Sequence, residues 1–223
     1  MPSITAVIFD LDGVLIDSEG LWNEARMQIT EEHGGQWRAE AQRAMMGMSS
    51  LEWSRYMSED LGVRMEPEQL SEMVVSRLER LYRERVPLLP GAREAVIACS
   101  EAWPLGLASS ANRPLIELVL DLTELRERFR AIVSSEEVPR GKPAPDVYLE
   151  ASRRLEVAPE RCTAVEDSTN GLLSADAAGM TVIAIPNREF PPAEDALARA
   201  ALVLDTTEEL TPGRIEELAD STS

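Results

Sequence analysis

Short apolar runs punctuate the chain at Ile4–Phe9, Leu105–Ala108, Ala131–Val133, Thr163–Val165, Val182–Ile185 and Ala201–Leu204. They are mostly aliphatic, without the apolar–polar alternation of a strand that has one wet face. Runs of this kind suit strands covered on both sides, as in a parallel sheet. Helical periodicity separates most of them, over Ala92–Glu101, Pro114–Leu120, Pro145–Leu155 and Gly171–Ala178. Strand and helix in alternation predict an α/β fold of the Rossmann-like, doubly wound type, with helices on both faces of a parallel sheet.

One stretch breaks the alternation. From about Ser18 to Arg85 the periodicity is helical only, as in Leu21, Ala25, Ile29 and in Leu70, Met73, Val74, Arg77, Leu78, Leu81. Turn signals lie at Gly34-Gly35 and Gly62, and Pro87, Pro90 and Gly91 return the chain to the α/β pattern. The expected organisation is an α/β core of residues 1–16 and 88–223, with an all-helical cap domain of residues 17–87 inserted after the first strand. The linkers fall near Asp17 and Val86. The acidic stretch Thr206 to Ser223 reads as a surface helix with a frayed end.

Composition narrows the chemistry. Lys+Arg is 22 against 40 Asp+Glu in 223 residues, a formal charge of −18. A field of that sign repels polyanions, so neither nucleic acid nor a membrane surface is an expected partner. No apolar run approaches the roughly 20 residues of a membrane span. The opening residues Met1 to Asp10 carry no basic residue and do not read as a secretory signal. Cys99 and Cys162 lie in apolar stretches and read as reduced core residues, so a cytoplasmic location is expected. The single histidine, His33, sits before Gly34-Gly35 like a helix end. Zinc sites and histidine-based triads are therefore implausible, and metal or acid–base chemistry falls to carboxylates.

In open α/β sheets, ligands bind beyond the carboxyl ends of the strands. The first run ends in Asp10-Leu11-Asp12-Gly13. Side chains two apart on an extended chain face one way, so Asp10 and Asp12 can share a site. A nucleophile, an acid/base and a cation between ligands would use them; so would an Asx turn. The second run ends in Ser109-Ser110-Ala111-Asn112 before a helix start, which offers hydroxyls and backbone N–H groups to an anion or a simple N-cap. After the third comes Gly141-Lys142-Pro143-Ala144-Pro145-Asp146, holding the only lysine of the chain. A compact ammonium suits neutralising phosphate and a carboxylate. The fourth ends in Glu166-Asp167-Ser168-Thr169-Asn170-Gly171. Mg2+ favours carboxylate oxygens, with Asp167 the better direct ligand and Glu166 acting through water.

Together these motifs resemble those of the haloacid dehalogenase-like (HAD) superfamily of hydrolases, in the subgroup with a helical cap that includes β-phosphoglucomutase and the phosphoglycolate and sugar phosphatases. The resemblance implies that Asp10 is the nucleophile that becomes an aspartyl phosphate. Asp12 is then the acid/base, with its backbone carbonyl on the metal. Ser109, aided by Ser110 and Asn112, holds the phosphoryl oxygens. Lys142 steadies nucleophile and phosphate, and Asp10, Asp12, Glu166 and Asp167 place Mg2+. Glu19, Trp22, Met48, Ser49 and Trp53 are the candidate substrate-facing cap positions, with packing inside the cap the alternative for Met48 and the two tryptophans.

Hydrolytic dehalogenation is disfavoured, because dehalogenases of the superfamily lack the second Asp, here Asp12. The expected activity is Mg2+-dependent hydrolysis of a small phosphorylated metabolite, a sugar phosphate or similar, by a monomer. A phosphosugar mutase is the alternative. The mutases carry a histidine near the position of Trp22 and an arginine in a cap loop where this chain reads Gly47-Met48-Ser49-Ser50; losing both favours hydrolysis. A catalytically idle phosphate-binding or regulatory protein is the alternative of another class.

Overall fold

The computed structural model describes residues 4–46 and 48–220, so Gly47 and the chain ends lie outside the described residues. In chain order the elements are β1 (Ala6–Phe9), α1 (Glu19–Glu32), α2 (Ala41–Met45), α3 (Ser50–Glu59), α4 (Pro67–Glu84), α5 (Ala92–Ala102), β2 (Leu105–Ser109), α6 (Arg113–Leu122), β3 (Phe129–Ser134), α7 (Asp146–Leu155), β4 (Cys162–Glu166), α8 (Thr169–Ala177), β5 (Thr181–Ala184), α9 (Glu194–Leu197), β6 (Leu202–Val203) and α10 (Pro212–Asp220). The six strands pair in the order β3-β2-β1-β4-β5-β6, and every pairing is parallel. The strand order reverses around β1, so the crevice at its carboxyl end is the switch point where such sheets bind ligands.

The aliphatic strands bury both faces. On one, Val7, Phe9, Leu105 and Leu107 pack with Val96, Cys99, Leu115 and Val119 of α5 and α6. On the other, Ala6, Ile8, Ala108 and Ala164 pack with Val147, Tyr148, Ala151 and Leu172 of α7 and α8. Alternate residues of one strand thus serve opposite helix layers. Phe9 and Phe129 meet edge to face at 6.2 Å.

Between β1 and α5 the chain is helical. Leu70, Val74, Leu78 and Tyr82, four residues apart along α4, form its buried stripe. Trp53 and Met57 of α3 and Ala25 and Ile29 of α1 join the same apolar cluster as β1 and β2, so in this structure the four helices are packed down on the core. The chain leaves and re-enters the sheet through adjacent passages: Asp17 N–H donates to the Pro87 carbonyl at 2.8 Å, and Leu89 N–H to the Leu15 carbonyl at 2.9 Å.

The expected elements are all present with ends shifted by a residue or two, β1 beginning at Ala6 and β6 spanning only Leu202–Val203. Helices α2, α3 and α9 carry no apolar stripe long enough to be singled out from the sequence. His33 is the C-cap of α1, as its glycine neighbours indicate. Cys99 and Cys162 are free and buried, and burial pushes their thiols up to about 12 and about 11. Among the described residues no helix is long and apolar enough to cross a membrane.

Leu78 is wholly buried in the α4 stripe. Leu78→Ala is expected to cost about 2–5 kcal/mol through lost burial and the cavity left behind. Urea unfolding of the variant beside the parent checks this.

Candidate active site

The residues after β1, β3 and β4 converge. Asp10 N–H donates to the Val165 carbonyl at 3.0 Å, which sets the end of β1 level with Glu166. Lys142 Nζ reaches across from the loop after β3 to Asp10 Oδ1 at 2.8 Å and to Glu166 Oε1 at 2.5 Å. All three side chains are buried. Burial alone would pull the ammonium down, but Asp10 and Glu166 more than reverse this and hold it charged.

Glu166 is fully enclosed. Oε1 also accepts from the Tyr148 hydroxyl at 2.8 Å, while Oε2 takes the Asp167 N–H at 3.1 Å and the Ser168 hydroxyl at 3.3 Å. Both oxygens are thus committed to protein donors. A Cβ at Gly171 would lie 1.9 Å from this carboxyl group, so only glycine leaves room for it there.

Asp167 has a different environment. It is 3% exposed, yet no described residue donates a hydrogen bond to its carboxylate. Burial, then repulsion from Glu166 and Asp10, pushes its carboxyl well above the usual range. Asp10, Glu166 and Asp167 bring oxygens within 4.8 Å of one another. Gly13, at φ +79°, would with a Cβ stand 1.9 Å from Asp167 Oδ2. The chain therefore turns so tightly after Asp12 that backbone meets carboxylate. Buried, mutually repelling oxygen donors with an unpartnered member fit a hard divalent cation.

Asp12 points to the other side of the turn. Its Oδ1 accepts from the Ser18 hydroxyl and from the Trp22 indole N–H at 3.3 Å, and its Oδ2 faces the Ser109 hydroxyl at 3.5 Å. Burial raises its carboxyl, against the pull of the Ser18 and Trp22 hydrogen bonds. Burial likewise raises Asp10, against the pull of Lys142.

These groups open onto a cleft of about 550 Å³, its mouth included, lined by Asp10, Asp12, Lys142, Asp167 and Ser110 from the sheet and by Glu19, Trp22, Met48 and Trp53 from the helices opposite. Other expected substrate contacts lie elsewhere. Ser109 is wholly buried beneath the cleft, its hydroxyl accepting the Ala111 N–H at 3.0 Å. Asn112 turns its amide to Glu136 Oε1 at 2.7 Å, away from the cleft. Ser49 begins α3, where its hydroxyl and N–H both donate to Glu52 at 2.6 and 2.8 Å. The spacing Ser49-x-x-Glu52 is a capping-box pattern, a signal that the substrate assignment overlooked.

Arg26 and Tyr148 are the residues that sequence reasoning missed. Arg26 lines the cleft from α1. Its signal was a charge on the buried Trp22, Ala25, Ile29 face of that helix. Tyr148 stands on the inward face of α7 beside Val147 and Ala151 and carried no such mark.

The sequence profile of the haloacid dehalogenase-like hydrolases matches residues 7–185. Hexitol phosphatase B of Escherichia coli is 39% identical over 193 residues, 83% of this chain and 85% of that protein. A phosphorylated carbohydrates phosphatase of Thermotoga maritima is 34% identical over 177 residues, 78% of this chain and 82% of its own length. Among solved structures, β-phosphoglucomutase from Clostridium difficile superposes with a TM-score of 0.85 at 26% identity, over 98% of each chain. With a six-stranded parallel sheet and four motifs at its strand ends inside the matched span, the chain belongs to the haloacid dehalogenase-like hydrolase family.

Proposed function

We propose that this protein is a Mg2+-dependent phosphatase that releases phosphate from a small phosphorylated metabolite of the sugar-phosphate class through an aspartyl phosphate on Asp10. The carrying observation is the Lys142–Asp10 contact at 2.8 Å beside the unpartnered Asp167 carboxylate. The reaction class is phosphoric monoester hydrolysis, that of the related hexitol and phosphorylated carbohydrate phosphatases.

Lys142 holds Asp10 Oδ1 and favours its ionised form against the burial that raises this carboxyl, leaving its other oxygen to attack phosphorus. As that bond forms, the bond from phosphorus to the leaving oxygen breaks, and Asp12 gives its proton to the departing alkoxide. The raised carboxyl of Asp12 favours the protonated form that this step needs. Asp12, now ionised, takes a proton from water. The resulting hydroxide attacks phosphorus, the acyl phosphate bond breaks, and Asp10 and inorganic phosphate are released. Asp10, Asp167 and the Asp12 backbone carbonyl would hold Mg2+, which supplies Lewis-acid neutralisation of the phosphoryl oxygens. Glu166 acts from behind by fixing Lys142, together with Tyr148. Ser110, in the cleft wall, is placed for a phosphoryl oxygen. Residues 17–87 form the cap that closes over the site and excludes water during the first step.

The likeness to β-phosphoglucomutase favours a second reading, phosphosugar mutase. Against it, Trp22 donates to Asp12 in place of a titratable histidine. Hydrolysis predicts free phosphate from β-glucose 1-phosphate; accumulation of glucose 6-phosphate would establish the mutase instead.

Asp10→Asn is expected to lower kcat by at least about a thousandfold, as removal of a nucleophile does, while circular dichroism remains that of the folded protein. A folded, active variant removes Asp10 from its role. Chelation should abolish turnover and added Mg2+ restore it. Mg2+ at a hundred times its dissociation constant should stabilise the protein by about 2.7 kcal/mol, read as a rise in Tm. Full activity in excess chelator defeats the metal assignment, and no hydrolysis of p-nitrophenyl phosphate would leave an idle phosphate-binding protein.

A further inference from the structure

Arg26 has no part in the chemistry above, yet it stands in the cleft wall with Asp10, Asp12 and Lys142. It is 5% exposed. Among the described residues its guanidinium makes neither a hydrogen bond nor an ion pair, and Nε is buried with no acceptor. It lies 4.5 Å from the ring centroid of Trp22 and 5.0 Å from that of Trp53, so two indoles hold it in place. Cation–π contact of this kind offsets only part of the cost of a buried charge. Five donors in a rigid fork therefore await acceptors.

The nearest opposite charges are Glu19 and Asp12, which Arg26 feels without touching. Glu19 lines the same cleft, its Oε2 accepting from Gln42 Nε2 at 2.5 Å. A donor fork and an acceptor carboxylate thus face one space, with no direct bond between them. A second phosphate or carboxylate there would satisfy Arg26 but would crowd Glu19, Asp10, Asp12 and Asp167, all acidic and all in the wall. A hydroxyl suits both groups at once, since it accepts from a guanidinium and donates to a carboxylate.

We propose that Arg26 and Glu19 form a subsite for a hydroxyl of the leaving group, with Arg26 setting the preference for polyol and sugar phosphates over esters lacking hydroxyls. The proposal rests on the phosphatase reading. It adds that part of the substrate's binding energy comes from carbons remote from phosphorus, where a site built to hydrogen-bond a hydroxyl rejects analogues that lack it.

The measurement is the ratio of kcat/KM on glucitol 6-phosphate to that on p-nitrophenyl phosphate, in the Mg2+-loaded parent, Arg26→Lys and Arg26→Met. The ratio should fall about 10- to 100-fold, the worth of a hydrogen bond to a charged group, chiefly through KM on the polyol phosphate. Lysine keeps the charge and the stem but loses the fork, so Arg26→Lys decides the matter should Arg26→Met fail to fold. The parent should also lose about tenfold in kcat/KM on at least one monodeoxy analogue of the hexitol phosphate. A ratio unchanged within about twofold, equal loss on both substrates, or indifference to every deoxy analogue overturns the inference. Failure of the parent to hydrolyse p-nitrophenyl phosphate defeats the phosphatase reading, and this inference with it. Hydrolysis with an unchanged ratio defeats the subsite alone.

Discussion

The buried ammonium of Lys142 ties together three strand ends. It joins Asp10 after β1 to Glu166 at the end of β4, from a loop that follows β3, with contacts of 2.8 and 2.5 Å. Removing one member of such a buried set leaves an uncompensated charge and typically costs about 3–5 kcal/mol. Geometry and ionisation are linked here: the ammonium that positions Asp10 also opposes the effect of burial on its charge. Tyr148 and the backbone N–H of Asp167 complete the shell around Glu166, so the ammonium has a fixed anchor behind it and the Asp10 carboxylate in front.

That arrangement concentrates negative charge where water is scarce. Asp10, Glu166 and Asp167 are all buried within reach of one another in a protein whose formal charge is already −18. Within the cleft the positive charge comes from Lys142 and Arg26, against the long-range field of an acidic molecule. Space is as constrained as charge. Gly13 and Gly171 lie where any side chain would overlap the carboxyls of Asp167 and Glu166, so two turns in the backbone are shaped around the acids they adjoin.

The sheet and the core of the site were legible because both rest on local rules. Aliphatic runs of strand length, punctuated by amphipathic helices, admit few packings, and the runs of β1 and β4 end in acids that the fold brings together. Lys142 stood out by scarcity and Asp10-Leu11-Asp12 by spacing. The wall opposite the sheet was harder to read. Ser49 caps α3 with Glu52, three residues on, a pairing that its sequence spacing also marks. Asn112 follows the serines in sequence, but its side chain swings to Glu136. Arg26 escaped because a charge amid apolar helix positions gains meaning only when the tertiary packing shows what it faces. Which side of a short helix looks into the cleft is set by non-local contacts.

The passages that join the four helices to the sheet run side by side. Hydrogen bonds from Asp17 to Pro87 and from Leu89 to Leu15 fasten outgoing and returning chain into one ribbon. That fastening holds the start of α1 close to the end of β1, where the Trp22 indole reaches the Asp12 carboxylate.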